Sequence, residues 1–432
     1  MLEMRKMKDS GIEWIGEIPE GWEIKRLGAI LQERNEVNNP IQTTSILSLT
    51  NNRGVIPYSE KGNQGNKAKD DLTGYKIAHI GDIVLNSMNV IIGSVGLSNY
   101  YGAVSPVYYI LFPRNNIETN IQYYNYLFQT TAFQQSLRGY GNGILEIRMR
   151  IQMQKLKTVL LPVPTFLEQS NITVYLDASL SKLNILLSKT RSSIEEYKKL
   201  KQVVITQAVT KGVRAKREMK DSGVEWIGEI PKEWVIQKIK SISSRINVGV
   251  VIRPSEYFDE NGTVPFLRGI NVKEYFISSD NMVYINESSN RILSKSQVHT
   301  DDILIVRDGS IGTSCVVPAE FDGANVVSMV IATPSISCDS RFICYSLNSD
   351  VGKTQFTLTK IGSALTHTSV SAVSDIIVAV PSCAEQKEIA DYLDVKCAEI
   401  DGLIAKKEQL VKELESYKKS LIYEVVTGKR EV

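Results

Sequence analysis

The first half of this 432-residue chain contains no cysteine. All five (Cys315, Cys338, Cys344, Cys383 and Cys397) fall in the second half, irregularly spaced and without a CxxC pair. An odd count so arranged is no disulfide framework and reads as reduced thiols of a cytoplasmic protein. Histidine is scarcer: His79, His299 and His367 lie far apart without metal-ligand spacing, so no metal site is expected. No apolar run reaches the roughly 18 residues of a membrane-spanning helix, and none is expected. The opening stretch MLEMRKMKDSG lacks an apolar core and does not read as a signal peptide. Charge of one sign is missing too. Fifty Lys and Arg stand against 48 Asp and Glu, so any basic surface must come from clustering.

What the chain has is repetition. MKDSGIEWIGEIPEGW from Met7 returns as MKDSGVEWIGEIPKEW from Met219, with only three positions changed: Ile12 to Val224, Glu20 to Lys232 and Gly21 to Glu233. VPTFLEQSNITVYLD from Val163 matches VPSCAEQKEIADYLD from Val380, and the offset of 217 continues without a gap through ITQAVTKG and IYEVVTGK. Between these ends the halves share less: HIGDIVLN from His79 resembles HTDDILIV from His299 at an offset of 220. A period this long is no solenoid unit; it marks a duplicated half with a preserved frame around a diverged insert. The inserts carry short β-rich runs (YGAVSPVYYILF, DDILIVRDGSIGTSCVV) separated by turn signals such as NNRG, DENG and DGS. Helical stretches, IQYYNYLFQTTAFQQSL and SRFICYSLNSDVGKTQF, intervene. Each insert therefore reads as a mixed α/β globule of about 140 residues, within the usual domain range.

The tails differ in kind. Leu183, Leu186, Leu187, Ile194, Tyr197, Leu200, Val204, Ile205 and Ala208 form an apolar stripe. Ile400, Leu403, Ile404, Val411, Leu414, Tyr417, Leu421, Ile422 and Val425 repeat it under the 217 offset. Steps of three and four over more than three heptads predict two long helices with a coiled-coil seam. Each follows a Pro and ends near a Gly, Gly212 or Gly428. Two separate surface helices are the plainer alternative. Paired antiparallel, the helices would relate the halves by a pseudo-twofold axis, as a rod of about 35 residues and roughly 50 Å.

Double-stranded DNA has the dimension and symmetry for such a caliper, with half-sites about 34–36 Å apart. A peptide-binding pair of globules remains open on spacing alone. Candidate DNA contacts are the basic and amide side chains of the inserts, since Arg and Lys read guanine and Asn and Gln read adenine. In the first insert these are Arg53, Lys61, Asn63, Gln64, Asn66, Lys67 and Lys69, with Arg138, Arg148 and Arg150. In the second they are Arg253, Arg268, Asn271, Lys273, Arg307, Lys360 and His367. Solvated surface charges would look the same. Trp14, Ile15, Ile18 and Trp22 read as apolar anchors of the frame, or alternatively as a docking patch presented twice.

Duplicated halves, each a variable insert followed by P…EQ…YLD and a long helix ending near VT, resemble the specificity subunit of type I restriction–modification enzymes. The resemblance runs from about Met7 to Lys429 and rests on the DSG.EWIGEIP..W repeat and the Glu168-Gln169 and Glu385-Gln386 pairs. It implies an α/β (mixed α+β) architecture: two target recognition domains joined by two antiparallel coiled-coil helices. The corresponding bounds are 1–164 and 217–381 for the recognition domains, and 165–216 and 382–432 for the spacer helices. It further implies a non-catalytic subunit whose domains each read half of an asymmetric bipartite DNA site. The partners it implies are methyltransferase subunits, two of them, and endonuclease/translocase subunits, with double-stranded DNA and no membrane. S-adenosylmethionine, ATP and Mg2+ are expected only in those partners. In line with this, there is no NPPY-type motif, since Asn39-Pro40 is followed by Ile41-Gln42, and no G-x-x-x-x-G-K-[ST] loop. An enzyme with an unrecognised site and a protein-binding scaffold are the competing classes.

Overall fold

The computed structural model describes residues 5–51, 53–62, 67–142, 150–358 and 367–432. They form two compact units: Met1–Arg191 with Gln409–Val432, and Ser192–Glu408. Two long helices, Phe166–Lys211 and Cys383–Val426, run through both, so each unit is one globule and part of each helix.

The first unit opens with an antiparallel ribbon, Met7–Asp9 against Glu17–Pro19. Its turn needs Gly11 and Gly16 at φ of 67° and 70°, where a side chain would be strained. Asp9 steadies it by accepting the Gly11 amide at 2.9 Å. The insert is then closed by its own ends, since Glu23–Arg26 pairs antiparallel with Leu160–Val163. Inside lies a four-stranded antiparallel sheet in the order Leu31–Glu33, Tyr108–Pro113, Ile83–Asn86, Val95–Leu97. Helices Ile121–Gln129 and Thr131–Ser136 follow, capped by the side chains of Asn120 and Thr130.

The second unit repeats this plan. Its ribbon is Met219–Asp221 with Glu229–Pro231, and Val235–Lys238 pairs with Ile377–Val380. Its sheet runs Ser243–Val248, Met329–Pro334, Ile303–Val306, Ser314–Val316, the same order and sense. Helices Ser340–Asn348 and Asp350–Leu358 follow, the first capped by Asp339. The four-stranded sheet is kept, and the strands around it differ. The second insert adds a three-stranded sheet of Val283–Ile285, Val264–Leu267 and Asn325–Val326, where the first has two separate pairs, Leu47–Thr50 with Gly54–Pro57 and Lys76–Ala78 with Gly102–Val104.

Each long helix starts immediately past a proline, Pro164 or Pro381. Thr165 and Glu168 form a reciprocal capping box: the hydroxyl accepts the Glu168 amide (3.3 Å) and the carboxylate accepts the Thr165 amide (3.1 Å). Gly212 and Gly428, both at φ 73°, end the helices. At 46 and 44 residues they span about 69 and 66 Å, longer than the stripe alone predicted, because the EQ…YLD segments belong to them. Their pairing is antiparallel. In the first unit Asn184 meets Lys418 at 2.8 Å and Arg191 meets Glu415; in the second Lys201 meets Asp401 at 2.7 Å.

The seam is narrower than the sequence stripe. Leu187, Ile194, Ala208, Ile400, Leu421 and Val425 are buried, and Leu183, Tyr197, Val204, Ile404, Val411 and Leu414 are half-buried. Leu186, Leu200, Leu403 and Tyr417 leave it, at 44%, 47%, 41% and 47% exposed. A two-helix contact buries two positions per heptad, and these four flank it. Thr190 takes a buried place, its hydroxyl bonded to the Leu186 carbonyl at 2.8 Å. Half-buried Lys201, Lys407 and Lys418 also line the contact, with Lys407 5.6 Å from the Tyr197 ring. Burial lowers the Lys418 pKa, helped by neighbouring Arg191. Among the described residues no helix is long and apolar enough to cross a membrane.

Candidate nucleic-acid interface

The duplicated motifs lock each globule to its helices in one way. Trp22 donates its indole N–H to Glu168 at 3.1 Å, and Trp234 donates to Glu385 at 3.3 Å. Arg5 pairs with Glu168 and lies over Trp22 at 5.6 Å; Arg217 pairs with Glu385 and lies over Trp234 at 5.8 Å. Burial works against the Glu168 carboxylate, but bonds from Trp22, Thr165 and Arg5 outweigh it and hold its pKa below the ordinary value. Gln169 and Gln386 are buried beside them. Each accepts the amide of a helix cap, Asn120 (2.8 Å) or Asp339 (2.9 Å), and donates to the carbonyl of the preceding proline. Ile15, Ile18 and Trp22 are fully buried. This half of the repeat is structural frame; Trp14 is partly buried, 5.8 Å from Phe133.

Only part of the candidate set is left facing outward. In the first unit Arg53 is exposed and paired with Glu60, and Lys61 lies 5.3 Å from the Tyr58 ring. Lys67 and Lys69 are exposed, with the Lys69 amide donating to the Tyr75 hydroxyl at 3.1 Å. Arg138 is exposed on the 3-10 turn Leu137–Tyr140. Arg150 is exposed in a cleft of about 450 Å³ with Tyr109, Gln152, Met153 and Gln154. Asn63, Gln64, Asn66, Arg148 and Lys360 lie outside the described residues.

In the second unit Arg268 and Lys273 share a cleft of about 640 Å³ with Asp308, Ser310, Thr313 and Ser328. The Arg268 guanidinium donates to the Asn281 carbonyl, and its Nε is buried without a partner. Arg307 donates to the Thr368 carbonyl at 3.0 Å, and His367 bridges backbone to Asp308. Arg253 stands apart, paired with Glu256 at 3.2 Å. Asn271 is withdrawn as a base reader. It is fully buried, with its oxygen on the Arg268 amide (3.0 Å) and its nitrogen on the Ser278 and Asp280 carbonyls (3.1 and 2.9 Å). Its amide shapes the loop that carries Arg268 and Lys273.

Sequence reasoning passed over Gln152, Gln154, Tyr109 and the Ser310–Thr313 turn. The signal for the first two was available: buried Ile151 and Met153 alternate with exposed Arg150, Gln152 and Gln154. Burial pushes the Cys315 thiol up to about 12 and Cys397 to about 11, so neither is an ionised nucleophile at neutral pH. Among the described residues no group of three or more His, Cys, Asp or Glu could hold a metal ion.

The family model for the type I restriction modification DNA specificity domain matches this chain twice, over residues 19–196 and 231–413. The chain belongs to the type I restriction–modification specificity family. Its two copies of the DNA specificity domain coincide with the two halves of the repeat. A putative type I restriction enzyme MjaX specificity subunit of Methanocaldococcus jannaschii is 26% identical over 96% of this chain and 95% of its own length. The MjaVIII specificity subunit of the same organism is 24% identical over 95% and 93%. The EcoKI specificity subunit of Escherichia coli is 22% identical over 47% of this chain and 44% of its own length. Solved structures share the fold. A chain of a type I R-M system, solved to show complex assembly and conformational transition, superposes with a TM-score of 0.75 at 14% identity, covering 96% of this chain and 99% of that one. The HsdS subunit from Thermoanaerobacter tengcongensis superposes at 0.53, also at 14% identity, covering 96% and 98%. As a member of this specificity family the chain is a DNA-recognition subunit carrying its recognition domain in duplicate.

Proposed function

We propose that each globule of this specificity subunit reads one half of an asymmetric, bipartite double-stranded DNA site. The observation that carries this is one sheet plan built twice on a matched frame, with different exposed polar side chains on each copy. A matched frame suits a common binding geometry, and different side chains suit different base sequences. The recognition domains are residues 1–164 and 217–381, and the helical regions 165–216 and 382–432 set the gap between half-sites and dock partners. Those partners are two methyltransferase subunits, joined by endonuclease/translocase subunits in the cytoplasm. S-adenosylmethionine, ATP and Mg2+ bind in the partners, and this chain contributes recognition without catalysis. Support comes from the frame itself, whose Trp–Glu–Arg and Gln contacts are the same in both units and so suit a partner that binds each half alike.

The test is an exchange of residues 234–380 for the insert of a relative, followed by mapping of methylated sites in cells expressing the chain and its partners. One half of the methylated motif should change and the other stay. A motif that changes in both halves, or in neither, overturns the assignment. Methylation by the isolated chain would overturn the non-catalytic reading.

A further inference from the structure

One short segment stands in the same place in both units and differs there in its reading chemistry. In the first unit the Ile151 amide donates to the Ser87 carbonyl at 3.0 Å; in the second the Thr368 amide donates to the Arg307 carbonyl at 3.1 Å. Both acceptors directly follow or adjoin a central strand of the sheet, Ile83–Asn86 or Ile303–Val306. A single helical turn comes next, Met153–Leu156 or Val370–Ser374, each begun by an extended cap residue, Gln152 or Ser369. Even the carbonyls of Ile151 and Thr368 are held alike, by the Tyr109 hydroxyl at 3.1 Å and by Arg307 at 3.0 Å. Arg150, Gln152 and Gln154 thus correspond one for one to His367, Ser369 and Ser371.

The backbone is common and the outward side chains are not. In the first unit Ile151, Met153 and Leu156 anchor the segment in the core while Arg150, Gln152 and Gln154 are exposed. Among the described residues no side chain pairs with that guanidinium or with those two amides, and Gln152 leaves the helix cap unmade. These are the side chains that read base edges bidentately, Arg on guanine and Gln on adenine. In the second unit Ser369 caps its helix through the Ala372 amide at 3.0 Å, which leaves His367 and exposed Ser371 as the freer groups of that set. An anchored segment with interchangeable outward groups is a place where sequence preference changes without disturbing the fold.

We propose that this segment is a specificity determinant in both units: Arg150, Gln152 and Gln154 read bases of one half-site, and His367 and Ser371 read bases of the other. The proposal rests on the DNA-reading function above and assigns residues to it. Its test uses the chain loaded with its partner subunits and a DNA library randomised at every position of the target. Arg150→Lys keeps the positive charge and loses the planar fork. Discrimination at one base of one half-site should fall roughly 5- to 150-fold, with the other half-site unchanged. Gln152→Ser with Gln154→Ser should relax a neighbouring position of that same half-site, and His367→Ala a position of the other. Equal weakening on all sequences would make these phosphate contacts and overturn the assignment. So would base preferences unmoved by all three variants. A wild-type complex without any base preference would instead overturn the DNA-reading function, and this assignment with it.

Discussion

Removing the Gln169 side chain should uncouple one globule from its long helix, and the size of the effect follows from its bonds. The side chain is fully buried. It accepts the Asn120 amide at 2.8 Å and donates to the carbonyls of Pro164 (2.9 Å) and Glu118 (3.1 Å). Gln169→Ala strands all three. Glu118 is exposed, so its carbonyl recovers water at little cost. Pro164 is buried and Asn120 half-buried, and each orphan of that kind costs about 1–3 kcal/mol. The loss should be about 2–6 kcal/mol for the two orphans together, concentrated where Asn120 caps Ile121–Gln129. Hydrogen exchange read by mass spectrometry localises it: amides of residues 121–136 should lose protection while those of 340–358 keep theirs. Gln386→Ala should reverse the pattern through Asp339. A Gln169→Ala protein with protection unchanged in 121–136, and stability within 0.5 kcal/mol of wild type, would refute the reasoning.

The corrected seam is testable by contrast. Leu187→Asp should cost at least about 2 kcal/mol in denaturant unfolding, and Leu186→Asp less than about 1, because only the first loses a buried side chain. Equal losses would restore the wider stripe. The carboxyl of Glu168 is held below its ordinary value of 4.5, so its contribution is complete above that pH and is lost as the pH falls through the folded value. The stability gap between wild type and Glu168→Gln should therefore be constant from pH 7 to about 5 and shrink below 4.5; a gap that widens in acid would reverse the sign. Inserting one heptad after both Ile194 and Val411 keeps the seam phase and lengthens each helix by about 10 Å. A target library with randomised gaps should then prefer a gap about three base pairs longer, with each half-site sequence intact, and an unchanged gap would sink the spacing role.

The frame was legible because duplication writes it twice. Proline boundary, long helix and terminal glycine all follow from matched residues, and their positions agree with local capping chemistry; the ribbon in the same repeat reads in sequence only as an apolar anchor or docking patch. The seam was legible only in part. An apolar stripe shows which face of a helix is greasy, but Leu186 and Leu403 are as apolar as Leu187 and Leu421, and only the partner's position separates them. Glu168 and Gln169 were visible as a motif without a job, since their partners, Trp22 and Asn120, lie 146 and 49 positions away. Asn271 was misjudged for the same reason: an amide in a turn offers itself equally to a ligand and to nearby carbonyls, and here the carbonyls of Ser278 and Asp280 take it. The shared sheet order of the inserts was hidden by side-chain divergence, which alternation preserves in pattern and not in identity.

The first unit draws its core from both extremes of the chain. Tyr423 donates its hydroxyl to the Trp14 carbonyl at 3.0 Å, Tyr123 donates to the Val426 carbonyl at 2.8 Å, and Leu421, Ile422 and Val425 pack in the core with Ile15 and Trp22. Synthesis is vectorial, at about 5–20 residues per second. The globule made first therefore stays open along one side, with buried aromatics uncovered, until some three hundred further residues have left the ribosome. The second unit waits far less, because its packing joins residues 205–209 to 389–397. Closing so long a loop costs little more free energy than a short one, since the penalty grows only with the logarithm of length. The cost falls on time, so the later-made unit should reach its finished fold no later than the earlier-made one, and the nascent first half should be a better substrate for holding chaperones than the second.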